Sequence, residues 1–145
     1  MTVYVDDMRA KFGRMIMCHC LADTEEELFA MMDKIGVDRK WYQTKKGNLH
    51  FDISVSMRAK AVKLGAVEIT WKQASAMNAI RRMTGTLGDP RTALSVYLML
   101  NKLPKDKNGR VYWFDTEGGI PENGLLYLKE IEAKIASNEA EKETE

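Results

Sequence analysis

The chain is 145 residues long, 45% hydrophobic and 30% charged. That composition excludes wholesale disorder and allows a core without disulfides or a structural metal. Lysines and arginines (22) exceed aspartates and glutamates (21) by one, so no global charge drives the chain onto nucleic acid or a membrane. No apolar run approaches the roughly 18 residues of a bilayer span. The opening MTVYVDD lacks the basic-then-apolar pattern of a secretion signal, and a cytoplasmic location is expected.

Residues 2–5 (TVYV) are β-branched and aromatic and predict a strand ending at Asp6-Asp7. Residues 15–20 (MIMCHC) form an almost wholly apolar run, as expected of a strand covered by helices on both faces. Cys18 and Cys20 within it read as reduced packing thiols. A Cys-His-Cys string on one strand cannot converge on zinc. Asp23 and Thr24 then offer helix N-caps, with Glu26 and Glu27 three residues on. Leu28, Met31, Met32 and Ile35 follow at helical spacing, and Gly36 supplies the stop.

Residues 49–53 (LHFDI) alternate with period two and predict a strand. Ser54 or Ser56 caps a second helix that ends at Gly65, and Ala66 to Ile69 read as another strand. Thr70 with Gln73 caps a third helix over residues 71–83. This order predicts an α/β fold, a small layered sheet flanked by helices, over residues 1–85.

Gly85 to Gly88 mark the boundary with a mostly helical C-terminal extension, residues 86–136, and residues 137–145 read as a disordered tail. The charge divides at the same place, with 14 basic and 10 acidic side chains in residues 1–85 and 8 and 11 in residues 86–145. A helix is predicted from Asp89-Pro90 to about Lys102, and a short strand at residues 111–114. A loop follows around Gly118-Gly119 and Pro121, then a last helix at about 123–137. That helix carries Leu125, Leu128, Ile131 and Ile135 on one stripe, which packs on its own domain or on a second copy.

The residues that could carry chemistry cluster in the first half. Asp6 and Asp7 close the first strand, where ligands of open α/β sheets bind, and two adjacent acids exceed what a turn needs. The chain has two histidines. His50 and Asp52 stand two apart on a strand and share a face, as a metal-ligand pair or as an acid/base pair in which Asp52 orients His50. His19 lies near the end of its strand, as a satisfied core residue or as a further ligand. Asp6, Asp7, His19 and His50 are therefore the candidate metal ligands, for Mg, Mn or Zn, and His50, Asp52 and Asp6 the candidate catalytic groups.

Arg9, Arg14, Lys45 and Arg58 punctuate the neighbouring loops and could meet a phosphate, Arg58 from the first turn of a helix. Trp41 and Tyr42 sit among cations. Trp41 reads as an anchor of its loop, and Tyr42 is left as either an anchor or a stacking platform. Phosphate-loop, dinucleotide and nucleophile-elbow motifs are absent.

VYVDDMR, GRMIMCH, LADTEEEL, WYQ, HFDIS and GAVEITWKQA resemble, over residues 2–83, a family of small bacterial and phage proteins catalogued as a domain of unknown function. The resemblance implies no established activity. Members in phages imply a setting of host takeover or anti-defence. The VDD ending is also similar to the first strand of PIN-type nucleases, but the later acids of that pattern have no counterparts here and that activity is not carried over.

The leading expectation is a pocket for a phosphate-bearing ligand, nucleotide or nucleic acid, with metal-assisted hydrolysis as the reaction if the protein is an enzyme. The rivals are a non-catalytic binder that sequesters a nucleotide, and an interaction module that inhibits a host enzyme.

Overall fold

A computed structural model of the chain describes residues 2–111 and 128–138. The chain forms two compact units, Met1–Ala74 and Ser75–Glu145. The first contains β1 (Val3–Val5), β2 (Ala10–Phe12), β3 (Met15–Ala22), α1 (Glu25–Ile35), β4 (Phe51–Ser54), α2 (Val55–Lys63), β5 (Val67–Glu68) and the start of α3 (Trp71–Thr84). The fold is α/β, a small mixed sheet with helices.

The helix ends follow from local chemistry. Thr24 accepts from the Glu27 backbone N–H at 3.2 Å, and Gly36 closes α1 with φ 86°, a left-handed angle that costs glycine nothing. Ser54 fills the same role for α2, accepting from the Met57 N–H. Thr70 and Gln73 satisfy one another's backbone N–H groups at the start of α3 (2.8 and 3.1 Å).

β3 organises the sheet. Met17 pairs with both Ala10 and Ser54, and Cys20 with both Val5 and Phe51. β1 and β2 therefore lie end to end along one edge of β3, antiparallel to it, and β4 runs along the other. β5 extends the sheet beyond β1 in parallel. From Val5 to Ala10 the chain advances five positions while its partner moves three, from Cys20 to Met17, so two residues are surplus. The surplus is a bulge over residues 6–9, with Arg9 in left-handed backbone at φ 52°.

One face of the sheet carries the core of this unit. Val3, Val5, Cys20, Ala22, Phe51 and Ile53 meet Leu28, Met31, Met32 and Ile35 of α1 and Ala61 of α2. The run at 15–20 differs from the expectation of a strand covered on both faces. Burial begins only at Cys18, and Met15 and Ile16 are 50% and 44% exposed. The reason is β2, which the periodicity of the sequence did not reveal. Phe12 pairs with Met15 across the two-residue turn Gly13-Arg14, so the start of β3 is one arm of a hairpin standing clear of the helices.

The second unit holds the rest of α3, α4 (Ala93–Asn101) and a helix at residues 128–138. The Gly85 to Gly88 stretch, expected as a module boundary, lies inside this unit. Met77, Ile80, Val96, Leu100, Val111 and Leu128 are fully buried. α4 starts later than Asp89-Pro90 predicts, because Asp89 is spent on a turn. Its carboxylate accepts from the Arg91 N–H and its carbonyl from the Thr92 N–H. Leu128 and Ile131 of the expected stripe are buried and Ile135 half-buried. Leu125, most of the strand expected at 111–114, the glycine-proline loop and most of the tail lie outside the described residues. Among the described residues no helix is long and apolar enough to cross a membrane.

Two outcomes follow from this packing. Cys18 and Cys20 are free and buried, and burial pushes the Cys20 thiol up to about 12, so neither should react with a disulfide reagent until the protein unfolds. Labelling of the native protein faster than its unfolding would contradict this burial. Phe51 has no exposed surface and Trp41 is 60% exposed. Phe51→Ala is expected to lower unfolding free energy by about 3–5 kcal/mol and Trp41→Ala by no more than about 0.5, read by denaturant titration.

Candidate metal centre

The β1–β2 bulge creates the site. Where the ladder is interrupted, the Asp6 carboxylate replaces the missing backbone acceptor. Its Oδ1 accepts from the His19 backbone N–H at 2.8 Å and from the Met8 N–H at 3.2 Å. Its Oδ2 stands 2.6 Å from His19 Nδ1. The Asp6 backbone keeps the ladder on its other side, donating to the His19 carbonyl. The carboxylate is wholly buried, which only a group with this many donors tolerates.

A carboxylate at Nδ1 holds a proton on that nitrogen and turns the Nε2 lone pair outward. His19 faces Asp52 across β3 and β4, and the two are directly paired in register. Its Nε2 lies 3.7 Å from Asp52 Oδ1. His50 precedes Asp52 by two and reaches the same oxygen, Nε2 to Oδ1 at 3.3 Å. His50 Nδ1 lies 2.7 Å from the Asn48 carbonyl, which can only accept, so Nδ1 carries a proton and Nε2 is directed at Asp52. The two imidazoles meet edge to face with centroids 4.9 Å apart.

His19, His50 and Asp52 thus each offer one ligand atom within 4.8 Å of the others. Bonds of about 2.1 Å in a tetrahedron place donors roughly 3.4 Å apart, close to both separations from Asp52. The second Asp52 oxygen accepts from Gln43 Nε2 at 2.6 Å, and a backbone pair between Gln43 and His50 closes the loop behind them. Three protein ligands, each held from behind by a further hydrogen bond, match a site that keeps a coordination position for water or substrate.

Electrostatics agree with the geometry. The His19 pKa is raised, first by the hydrogen bond to Asp6, against a lowering by burial, with the Asp6 and Asp52 charges adding to the rise. The Asp52 pKa is lowered, chiefly by the hydrogen bond from His50, with burial opposing.

The other expected site residues fall into different places. Asp6 stands behind His19 and outside the ligand cluster. Asp7 is not part of the cluster either, and its carboxylate accepts from the Trp71 backbone N–H at 2.8 Å, at the start of α3. Arg58 is not an open phosphate contact. Its Nε donates to the Asp6 carbonyl at 2.7 Å and its Nη1 to Glu68 at 2.9 Å, tying α2 and β5 to the end of β1. Of the loop aromatics, Trp41 differs from the expected anchor, and Tyr42, left open by the sequence, takes that role. Tyr42 stacks on Phe51, meets Phe29 edge to face and donates to Glu25, so it is the anchor. Trp41 lies outside with Lys40 over its ring. Arg9, Arg14 and Lys45 are exposed.

Gln43 and the Asn48 carbonyl are the functional groups that the sequence reading missed. They become relevant only through the return path of a polar loop, which no periodicity encodes.

The raised His19 pKa predicts a titration midpoint above 6.5 in the metal-free protein. NMR titration of the two imidazoles checks it, and Asp6→Asn should bring the His19 midpoint down. Because the folded value is the higher one, the pair stabilises the protein fully below pH 6.5 and ceases to do so as pH rises through the folded midpoint. The stability lost on Asp6→Asn should therefore shrink in alkali, and a loss independent of pH would contradict the pairing.

No curated protein and no solved structure matches the chain. Residues 3–81, more than half of the chain, match the family described as protein of unknown function, DUF4031. The match spans every ligand and supporting residue of the cluster, and the chain belongs to the DUF4031 family.

Proposed function

We propose that this protein binds a divalent transition-metal ion between His19, His50 and Asp52 and uses it to hydrolyse a phosphoester. The convergence of one ring nitrogen from each imidazole with one carboxylate oxygen, all within 4.8 Å of one another, carries this reading. Two imidazoles and one carboxylate favour zinc or manganese over magnesium, which prefers oxygen ligands and water. An ion held there would polarise a phosphoryl oxygen and acidify a water molecule.

The chain's own groups do the positioning. Asp6 and the Asn48 carbonyl engage Nδ1 of the two rings, which leaves each Nε2 as the atom that an ion would meet once its proton is displaced, and Gln43 holds Asp52 in place. In the reaction, the water oxygen bonds to phosphorus and gives up one proton, the bond from phosphorus to the leaving alkoxide breaks, and the alkoxide takes up a proton in turn.

The choice of phosphate rests on cations in the same loops. Arg9 lies in the same bulge as Asp6, and Lys45 and Lys46 occupy the loop closed by the Gln43–His50 pair; all three are exposed. Exposed cations offset the charge that develops on a phosphoryl group.

Calorimetric titration with Zn²⁺ and Mn²⁺ is expected to give one site per chain, lost in His50→Ala and Asp52→Ala. Hydrolysis of bis(p-nitrophenyl) phosphate should depend on the added ion and fall by at least about a hundredfold in His19→Ala, the scale of losing a group that orients or activates the reacting atoms. No metal binding would overturn the centre. Metal binding with a nucleotide held tightly but recovered intact would favour the sequestering binder over the hydrolase.

A further inference from the structure

The β2–β3 arm is built unlike the rest of the unit. Residues 8–22 contain Arg9, Lys11 and Arg14 and no acid. Phe12 is 71% exposed and Met15 50%, although both are large apolar side chains. Register decides where they point. Phe12 pairs with Met15 and Ala10 with Met17, so these four share one face. On β3, Met15, Met17 and His19 alternate onto that same face, and His19 pairs there with Asp52. An apolar strip therefore runs from the tip of the arm to the three-ligand cluster without changing side. At about 3.3 Å per residue the four steps from Met15 to His19 cover roughly 13 Å.

We infer that this arm grips a single-stranded polynucleotide and leads its backbone to the His19–His50–Asp52 cluster. The inference rests on the phosphoester reading for the hydrolysis and deepens it by naming the substrate class; the grip itself requires no metal. Arg9 in the bulge and Arg14 in the turn stand at the two ends of β2 and fit a polyanion, whereas Lys11 pairs with Ile16 on the other face. An aromatic ring standing in water fits unpaired bases, whose faces stack on it whatever their sequence. A strip of this length spans about four stacked nucleotides at 3.4 Å each. A duplex has no unpaired face to offer Phe12, and a second copy of the arm would bring like charges together.

The test uses the full chain in EDTA with a fluorescein-labelled oligothymidylate, followed by anisotropy across a salt series. Binding is expected, with a logarithmic salt slope of about −1.4, about 0.7 for each of two phosphate contacts. Phe12→Ala should weaken it roughly five- to a hundredfold, the effect of losing one base–aromatic stack. Arg9→Gln with Arg14→Gln should flatten the slope by about 0.7 per charge removed, whereas Lys11→Gln, on the other face, should leave it unchanged. These side chains are exposed, and unchanged thermal melts will show that the variants fold.

Absence of binding, binding indifferent to the Phe12, Arg9 and Arg14 substitutions, or equal affinity for a duplex of the same length would overturn the inference. So would a dimer in sedimentation that Phe12→Ala converts to monomer, which would make the arm a self-interface. Those failures leave hydrolysis of bis(p-nitrophenyl) phosphate untouched. Binding without any hydrolysis of that diester would instead remove the phosphoesterase and keep the grip.

Discussion

The architecture of this site turns on one buried carboxylate. Asp6 receives two backbone N–H groups and one imidazole, and its own carbonyl receives the Arg58 guanidinium. An uncompensated carboxylate at such a position would be expelled or neutralised. Here it substitutes for the ladder that the two surplus residues of the bulge have broken, and the same contact fixes the tautomer of His19. Local strand geometry and the orientation of a candidate ligand are thus one interaction. An amide could accept with one oxygen but would bring a donor where the second oxygen now accepts, so an asparagine satisfies the bulge less well than it satisfies the volume.

The cluster that results is ordered from the outside inward. Asp6, the Asn48 carbonyl and Gln43 each engage the far atom of a residue whose near atom converges on the centre. In the absence of an ion the same arrangement is held by charge. His19 stands between Asp6 and Asp52, both of which favour its protonated form. An ion and a proton therefore compete for Nε2, and the acids that orient the ring for one also favour the other. Such competition is common where ligands must be deprotonated to bind.

Much of this could be read from the residues alone. The caps at Thr24, Ser54 and Thr70 and the stop at Gly36 are local signals, satisfied within three or four residues, and the helices start and stop there. The shared face of His50 and Asp52 is likewise a matter of period two, and their 3.3 Å approach follows from it. The place of His19 was less legible. Its pairing with Asp52 depends on the register between β3 and β4, and its pairing with Asp6 on a bulge, and neither leaves a periodic trace. Asp89-Pro90 shows the opposite failure. A strong helix-start signal was used as a turn, because an aspartate can bond the backbone two residues on as readily as it can cap.

The apolar run at residues 15–20 carries a further lesson. Hydropathy reads it as one object, whereas the structure divides it. Cys18 and Cys20 close the core, His19 faces the cluster, and Met15 and Ile16 stand in the hairpin arm. Gly13-Arg14 was the available clue, since a glycine-first pair between β-forming residues favours a two-residue hairpin turn, and Gly13 has φ 61°. Once the hairpin is recognised, the exposure of Phe12 and Met15 on one face calls for a cause other than packing. A strand can place its apolar residues in water only at a cost in stability, and contiguous exposed patches of this kind mark surfaces that meet something. In the grip inferred above, the cations of the arm and its lack of acids would make that partner an anion.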